Sequence, residues 1–340
     1  MAAFPPFAPM SFPVLVGDIG GTNSRFALLS DAHAEAKLFD PVRTGDFADI
    51  ETAIEESVFA MTSVMPRSAV IAVAGPVQGD EIDLTNADWV IRPRQMMERL
   101  GVDDVVVIND FEALALSLTS LDEDVLEKIG GGEAADHGPK VVLGPGTGLG
   151  VAGMIHASGI WVPIPGEGGH VSFGPVEPDE FAIWEKLEPE HGRISAEALL
   201  CGRGMVRLYR GVAASQGAEP RYTRPEEISD AALAGNDTVA RRTVDLYCRL
   251  LGRAAGDLAL TFMASGGVYI GGGIAPRLLP ILEQSEFRTA FEAKAPHEDF
   301  VRSVPSWVIT GERPALTGLA AYARAPALFG VSLDGRRWNG

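Results

Sequence analysis

Short apolar runs punctuate the first half of the chain, and each ends in small or polar residues. Val14–Val16 closes on Gly17-Asp18-Ile19-Gly20-Gly21-Thr22-Asn23, and a second run, Phe26–Leu29, follows at once. This reads as strand, glycine turn, strand. Ala36–Val42 is expected as a third strand. Ala69–Ala74 and Val102–Ile108 are continuous apolar stretches, as in strands buried on both faces. Between them the period changes. From Asp46, the residues Phe47, Ile50, Ile54 and Val58 recur at helical spacing, with acids in the first turns. Val77–Ile91 predicts short strands separated by turns, and Pro93–Leu100 a short helix stopped by Gly101. After Val102–Ile108, Asn109-Asp110 opens a helix over FEALALSL.

The second half repeats the plan. Residues 121–139 are acidic and glycine-rich without periodicity, and are expected to link two domains. Val141–Ile155 is again strand, turn (Gly146-Thr147-Gly148), strand, and two such hairpins predict a duplicated architecture facing a shared cleft. Helices are expected over Phe181–Glu188, from Ser195 as cap through Leu200, over Met205–Ala214, and over Asp237–Ala264, where Val244, Tyr247, Leu251, Ala254, Leu258 and Phe262 keep the period until Gly266-Gly267. Val268–Ile270 reads as a buried strand, Gly271-Gly272-Gly273 as a loop into a helix begun by Pro276, Ser306–Ile309 as a last strand and Pro314–Ala323 as a last helix. Residues 329–340 carry no evident role.

Composition narrows the possibilities. A chain of 340 residues exceeds one ordinary core and suggests two domains. With 46% hydrophobic and 22% charged residues it reads as a soluble globular protein. A net charge of -18 disfavours nucleic acid and anionic membranes as partners. Two cysteines, Cys201 and Cys248, lack metal or disulfide spacing and fit a reduced compartment, the cytoplasm. Leu258–Pro276 carries no charge over 19 residues, but its five glycines argue against a membrane helix. Residues 1–13 lack the basic start of a signal peptide and read as a loose leader.

Candidate chemistry sits at the turns. Gly20 and Gly21 let N–H groups approach an anion, Thr22 and Asn23 add donors, and Asp18 can hold a hydrated Mg2+ beside phosphate. A plain hairpin turn is the competing reading. Gly146-Thr147-Gly148 is a second phosphate-loop candidate. Asn109 and Asp110 fit both helix capping and chemistry at a strand end. Glu167 and His170, within Gly166-Glu167-Gly168-Gly169-His170, suit hydrogen bonding to a polyhydroxy ligand. Glu197 fits compensation of a helix dipole. Gly272 and Gly273 fit either close helix–strand packing or the seat of a nucleobase.

Seven segments in order resemble the bacterial glucokinase family, within the hexokinase/actin-like ATPase superfamily: GDIGGTNSRFAL (17–28), AGPVQGDEIDLTNADWVI (74–91), INDFEALALSL (108–118), LGPGTGLGVAGM (143–154), PIPGEGGHVSFGP (163–175), SAEALLCGRG (195–204) and GGVYIGGGIAPRLL (266–279). The resemblance implies a two-domain actin-like (ribonuclease H-like) α/β fold, with mixed sheets flanked by helices around a central cleft. One domain would comprise residues 1–120 plus 314–335, the last helix packing back on it, and the other residues 121–313.

It further implies ATP-dependent phosphorylation of glucose at its 6-hydroxyl, with Asp110 as general base. Asn109, Asp110, Glu167, His170 and Glu197 would contact glucose. Asp18, Gly20, Gly21, Thr22, Asn23, Gly146, Thr147 and Gly148 would hold ATP phosphates, with Gly272 and Gly273 near the adenosine. Mg2+ would sit at Asp18, directly or through water, and the chain would form a homodimer. The related repressor/kinase group carries a cysteine-rich zinc motif after Glu-x-Gly-His; here only Cys201 stands nearby, so His170 is expected to be a sugar contact. A kinase for another hexose, an actin-like ATPase and a sugar-responsive protein without kinase activity are the alternatives. The loops specify phosphate and leave ATP, ADP and polyphosphate open as donors.

Overall fold

The computed structural model of the chain describes residues 9–85 and 87–340. The chain runs β1 (Val14–Ile19), β2 (Asn23–Leu29), β3 (Lys37–Leu38), β4 (Val42–Arg43), α1 (Ile50–Ser57), β5 (Ser68–Val73), β6 (Ile82–Asp83), β7 (Val90–Ile91), α2 (Pro93–Leu100), β8 (Asp104–Asn109) and α3 (Asp110–Ser117). It continues with β9 (Leu126–Gly130), β10 (Lys140–Pro145), β11 (Leu149–Ala157), β12 (Ile160–Gly166), α4 (Pro178–Trp184), α5 (Gly202–Ser215), α6 (Pro225–Leu233) and α7 (Thr238–Phe262). It ends with β13 (Val268–Ile270), α8 (Ile274–Leu282), α9 (Phe287–Glu292), α10 (Glu298–Ser303), β14 (Ser306–Ile309), α11 (Pro314–Arg324) and β15 (Arg337–Asn339). Two compact units result. One comprises the chain up to Asp122, Met154–Pro165 and the chain from Gly311; the other comprises Glu123–Gly153 and Gly166–Thr310.

The first sheet has the order β15-β8-β5-β1-β2-β3. β1 is antiparallel to β2 and parallel to β5, and β5 is parallel to β8. Ile19, Val73 and Asn109 therefore stand in register across three neighbouring strands. Their apolar residues, with Ile50, Ile54, Trp89 and Met96, form one core. α11 packs on α3, so close that a Cβ at Gly318 would overlap the carbonyl of Ala113.

The second sheet has the order β12-β11-β10-β13-β14-β9. β10, β13 and β14 are parallel, and β9 pairs antiparallel at the edge. Both sheets thus share one plan: a hairpin, two parallel strands and an antiparallel edge strand from a distant stretch of chain.

Several expectations are corrected. Ala36–Val42 is two short strands, β3 and β4. The helix expected from Asp46 begins at Ile50, because the Asp49 carboxylate takes the Thr52 N–H at 2.7 Å and caps it there. The expected link over 121–139 contains β9, an edge strand whose half-exposed face hides the alternation. α4 starts earlier than Phe181, at Pro178. Residues 195–200 form a turn: Ser195 Oγ accepts from Ala198 N at 3.1 Å, but the helix starts only at Gly202, with Cys201 as cap. α7 ends at Phe262, capped by Met263 in the left-handed region (φ 48), ahead of Gly266, and α8 opens at Ile274 rather than Pro276. Residues 329–340, expected to do nothing, supply β15. The leader expected over residues 1–13 lies partly on residues 1–8, outside the described residues; Met10 is buried and the Pro13 carbonyl accepts from Arg67 N at 2.7 Å, so its end is fixed. Among the described residues no helix is long and apolar enough to cross a membrane.

Candidate active site

In the first unit, the carboxyl ends of β1, β5 and β8 bring polar side chains together. Asp18 lies opposite Arg25 on β2, with Arg25 Nη1 3.6 Å from Asp18 Oδ2. Burial pushes the Asp18 carboxyl up, and Arg25 pulls it partly back. In the next turn Gly20 N donates to Asn23 O at 3.0 Å. Thr44, fully buried, buttresses this turn: its hydroxyl donates to Gly20 O at 2.8 Å, meets Ser24 Oγ at 2.9 Å, and its N–H donates to Thr22 O at 3.0 Å. The apolar pattern gave no hint of Thr44, since a lone threonine in a loop is common.

Asn109 ends β8 and caps α3. Its Oδ1 accepts from Phe111 N at 2.9 Å and Glu112 N at 3.3 Å, and its Nδ2 donates to Gly75 O at 3.2 Å. The Asn109 side chain also hydrogen-bonds the Asp110 carboxyl, which pulls that group partly back down. Asp110 follows, with Oδ1 accepting from Phe111 N at 3.0 Å. Burial first, and then the negative charge of Asp18, push its carboxyl up to about 6. The capping and chemical readings of this pair are therefore compatible. Asp18 acts on Asp110 because it is in register with Ile108, two residues before Asp110.

The second unit assembles its own group. Gly146 N donates to Gly148 O at 2.9 Å, closing the Gly-Thr-Gly turn. Glu197 reaches it from the 195–200 turn: Oε2 accepts from Leu149 N at 2.8 Å, and Oε1 accepts from Arg203 at 2.7 Å. A Cβ at Gly148 would lie 2.6 Å from Glu197 Oε2, which explains why that position is glycine. With no helix at 195–200, dipole compensation no longer accounts for Glu197. Its N–H also donates to Gly169 O at 2.8 Å, which ties it to the Gly166–His170 segment. Glu167 and His170 are exposed there, with His170 Nε2 3.7 Å from Glu167 Oε2. Arg193 donates to the His170 carbonyl. Further along, the fully buried Glu180 accepts from Arg253 at 2.6 and 2.8 Å, and Arg253 donates to Gly174 O at 3.0 Å, anchoring the continuation of this loop. Arg193 and Arg253 fall in no recognised segment, and Arg203 lies within SAEALLCGRG without a role assigned to it.

The two glycines after β13 differ. Gly272 has φ +76, and a Cβ there would overlap the carbonyl of Pro145, so close packing against the Gly-Thr-Gly turn requires glycine. A Cβ on Gly273 would meet nothing within 4 Å, which leaves open space beside the backbone. Among the described residues no three His, Cys, Asp or Glu side chains converge as a metal cluster. The donor chemistry of Asp18, one hard carboxylate beside a glycine turn, fits a Mg2+ whose other ligands are phosphate oxygens and water.

Comparison with known proteins agrees with this geometry. The family model described as Glucokinase matches residues 15–326. A glucokinase of Rhizobium johnstonii is 53% identical over 332 residues, covering 98% of this chain and 97% of the relative. A glucokinase of Sinorhizobium fredii is 54% identical over 330 residues, covering 97% of each. Among solved structures, the glucokinase from an Antarctic psychrotroph superposes with a TM-score of 0.83 at 33% identity, covering 91% of this chain and 98% of that one. Two mixed sheets with flanking helices, the paired carboxylates at the end of the first and a match over nearly the whole length lead to one assignment: the chain belongs to the glucokinase family.

Proposed function

We propose that this chain transfers the γ-phosphoryl group of ATP to the 6-hydroxyl of glucose, giving glucose 6-phosphate and ADP. The observation that carries the mechanism is the raised carboxyl of Asp110 at the end of β8 beside Asp18. A primary hydroxyl is a weak nucleophile. Asp110 accepts its proton as the oxygen attacks phosphorus in line; the O–P bond forms, and the bond to the ADP oxygen breaks. A base with a pKa about 6 is ionised at neutral pH and still matched to the proton it takes.

Asn109, Glu167, His170 and Glu197 orient the ring through its hydroxyls. The carboxylate oxygens of Glu197 each keep a lone pair beyond Leu149 N and Arg203. Backbone N–H groups at Gly20, Gly21 and Gly146–Gly148, with Thr22, Asn23 and Thr147, stabilise phosphate charge, and Gly272 and Gly273 lie by the adenosine. Mg2+, held by Asp18 directly or through water, would neutralise charge on the phosphate oxygens. In this reading the unit that holds Asp18 and Asp110 acts as the catalytic domain and the unit Glu123–Gly153 plus Gly166–Thr310 as the substrate domain, and the enzyme works as a cytoplasmic homodimer.

The test is ADP release by the purified protein with ATP, Mg2+ and a panel of hexoses, with a no-sugar blank. Strong turnover with glucose alone supports the reading. Turnover with another hexose keeps the chemistry and changes the substrate; sugar-independent hydrolysis overturns it. Asp110→Asn should bind glucose and lose about 10²–10⁴-fold in kcat. The same substitution carries a sign for stability. Because the folded carboxyl is raised to about 6 from 3.8, the ionised group opposes folding above that range. Asp110→Asn should therefore melt higher than the parent at pH 7.5, with the gain vanishing below pH of about 4.

A further inference from the structure

Residues 327–340 lie beyond the stretch matched by the family model, yet they carry β15, which pairs antiparallel with β8, the strand that ends at Asn109. Three consecutive side chains secure it. The Trp338 indole N–H donates to Asp80 Oδ1 at 2.7 Å, and its ring is buried. Arg337 grips both oxygens of Asp104, the first residue of β8, at 2.9 and 2.7 Å. Arg336 Nη1 donates to Glu112 Oε2 at 2.7 Å, while its carbonyl accepts from Val107 N at 3.0 Å. Glu112 is 1% exposed and stands in the first turn of α3. Its N–H is one of the two that the Asn109 side chain caps.

We propose that Arg336 is a positioning residue for the phosphoryl transfer: by pairing with buried Glu112 it fixes the first turn of α3, and with it the orientation of Asn109 and Asp110. The inference rests on the reading of Asp110 as the base. Desolvation makes a buried ion pair a poor device for stability alone, since apolar residues of similar volume often do as well. Its value here is geometric. Burial pushes the Glu112 carboxyl up and Arg336 pulls it partly back. Without the guanidinium, Glu112 either takes a proton or swings outward, and either change disturbs the turn that Asn109 caps.

The experiment measures kcat, KM for both substrates and the melting temperature of the full chain with Arg336→Met, Arg336→Gln and Arg336→Lys, alongside Asp110→Asn. Misplacing a reacting group by a fraction of an ångström is expected to lower kcat about tenfold in Arg336→Met. KM for ATP should stay within about twofold and Arg336→Lys should recover most of the loss. A merely structural role would lower the melting temperature and leave kcat of the folded variant at the parent value; that result overturns the proposal. If Arg336→Met does not fold, Arg336→Gln and Arg336→Lys decide by the same criterion. The two readings separate cleanly. An active Asp110→Asn removes the base assignment, whereas an inactive Asp110→Asn beside a fully active Arg336→Met removes only the role of Arg336.

Discussion

The two glycine turns share a sheet plan and differ in where their acids come from. At the first, the carboxylates belong to the sheet itself: Asp18 is in β1, and Asp110 follows β8 directly. Burial raises both, and Asp18 raises Asp110 further. At the second, the strands supply only Gly146-Thr147-Gly148. The acid, Glu197, arrives from a separate turn and fastens to the loop through Leu149 N. Glu167 and His170 stand exposed beside it. The first arrangement shifts protonation, which suits the proposed base; the second presents hydrogen-bonding groups, which suits the proposed recognition of a polyol.

Removing the charge of Asp18 breaks that contrast most severely. Asp18→Asn should lower kcat by about 10²-fold, comparable to the loss of one charge-stabilising group. The residual activity then reports on coupling. With Asp110 as the base, the rate of the parent should rise as its carboxyl, raised to about 6, loses its proton, and flatten above that. Because Asp18 is one of the causes that raise Asp110, its neutralisation should move the acidic limb to lower pH. A pH–rate profile of the two proteins checks this. An unmoved limb means that the two carboxylates titrate independently.

Gly148→Ala probes the other turn. The new Cβ would lie 2.6 Å from Glu197 Oε2, so the carboxylate must move or the loop must open. Because Glu197 N also donates to Gly169 O, the disturbance should pass from the Gly146–Gly148 turn to the Gly166–His170 segment. Expected is a loss of roughly tenfold or more in kcat/KM, shared between KM for glucose and KM for ATP. A loss confined to ATP would show that Glu197 serves only the loop.

What could be read from the sequence follows the same division. The hairpins, the buried strands and the glycine clusters were legible because apolar runs broken by glycine carry a strong local signal. Asn109 and Asp110 were visible as polar residues at a strand end. Glu197 was legible only by resemblance, since its spacing to Ser195 imitates a helix start that the chain does not complete. The edge strands β9 and β15 escaped because an edge with one half-solvated face needs little alternation. Thr44 and Arg336 escaped for a different reason: each acts through a partner far along the chain, Gly20 and Glu112, and nothing local marks such a pair.

Thr44→Val gives the smallest of these effects and tests whether the first turn needs its buttress. Valine keeps the shape of threonine but leaves the Gly20 carbonyl and the fully buried Ser24 hydroxyl without their partner. Such unpaired groups cost about 1–3 kcal/mol, so the melting temperature should fall. If the turn binds phosphate, KM for ATP should rise about threefold, equivalent to roughly 0.7 kcal/mol of binding, while kcat changes little. Thr44→Ser keeps the hydroxyl and should restore both. A variant that melts lower yet keeps the parent KM for ATP would show that the turn holds its form through its backbone bonds, Gly20 N to Asn23 O and Thr44 N to Thr22 O, and that the Thr44 hydroxyl serves the fold rather than the phosphate.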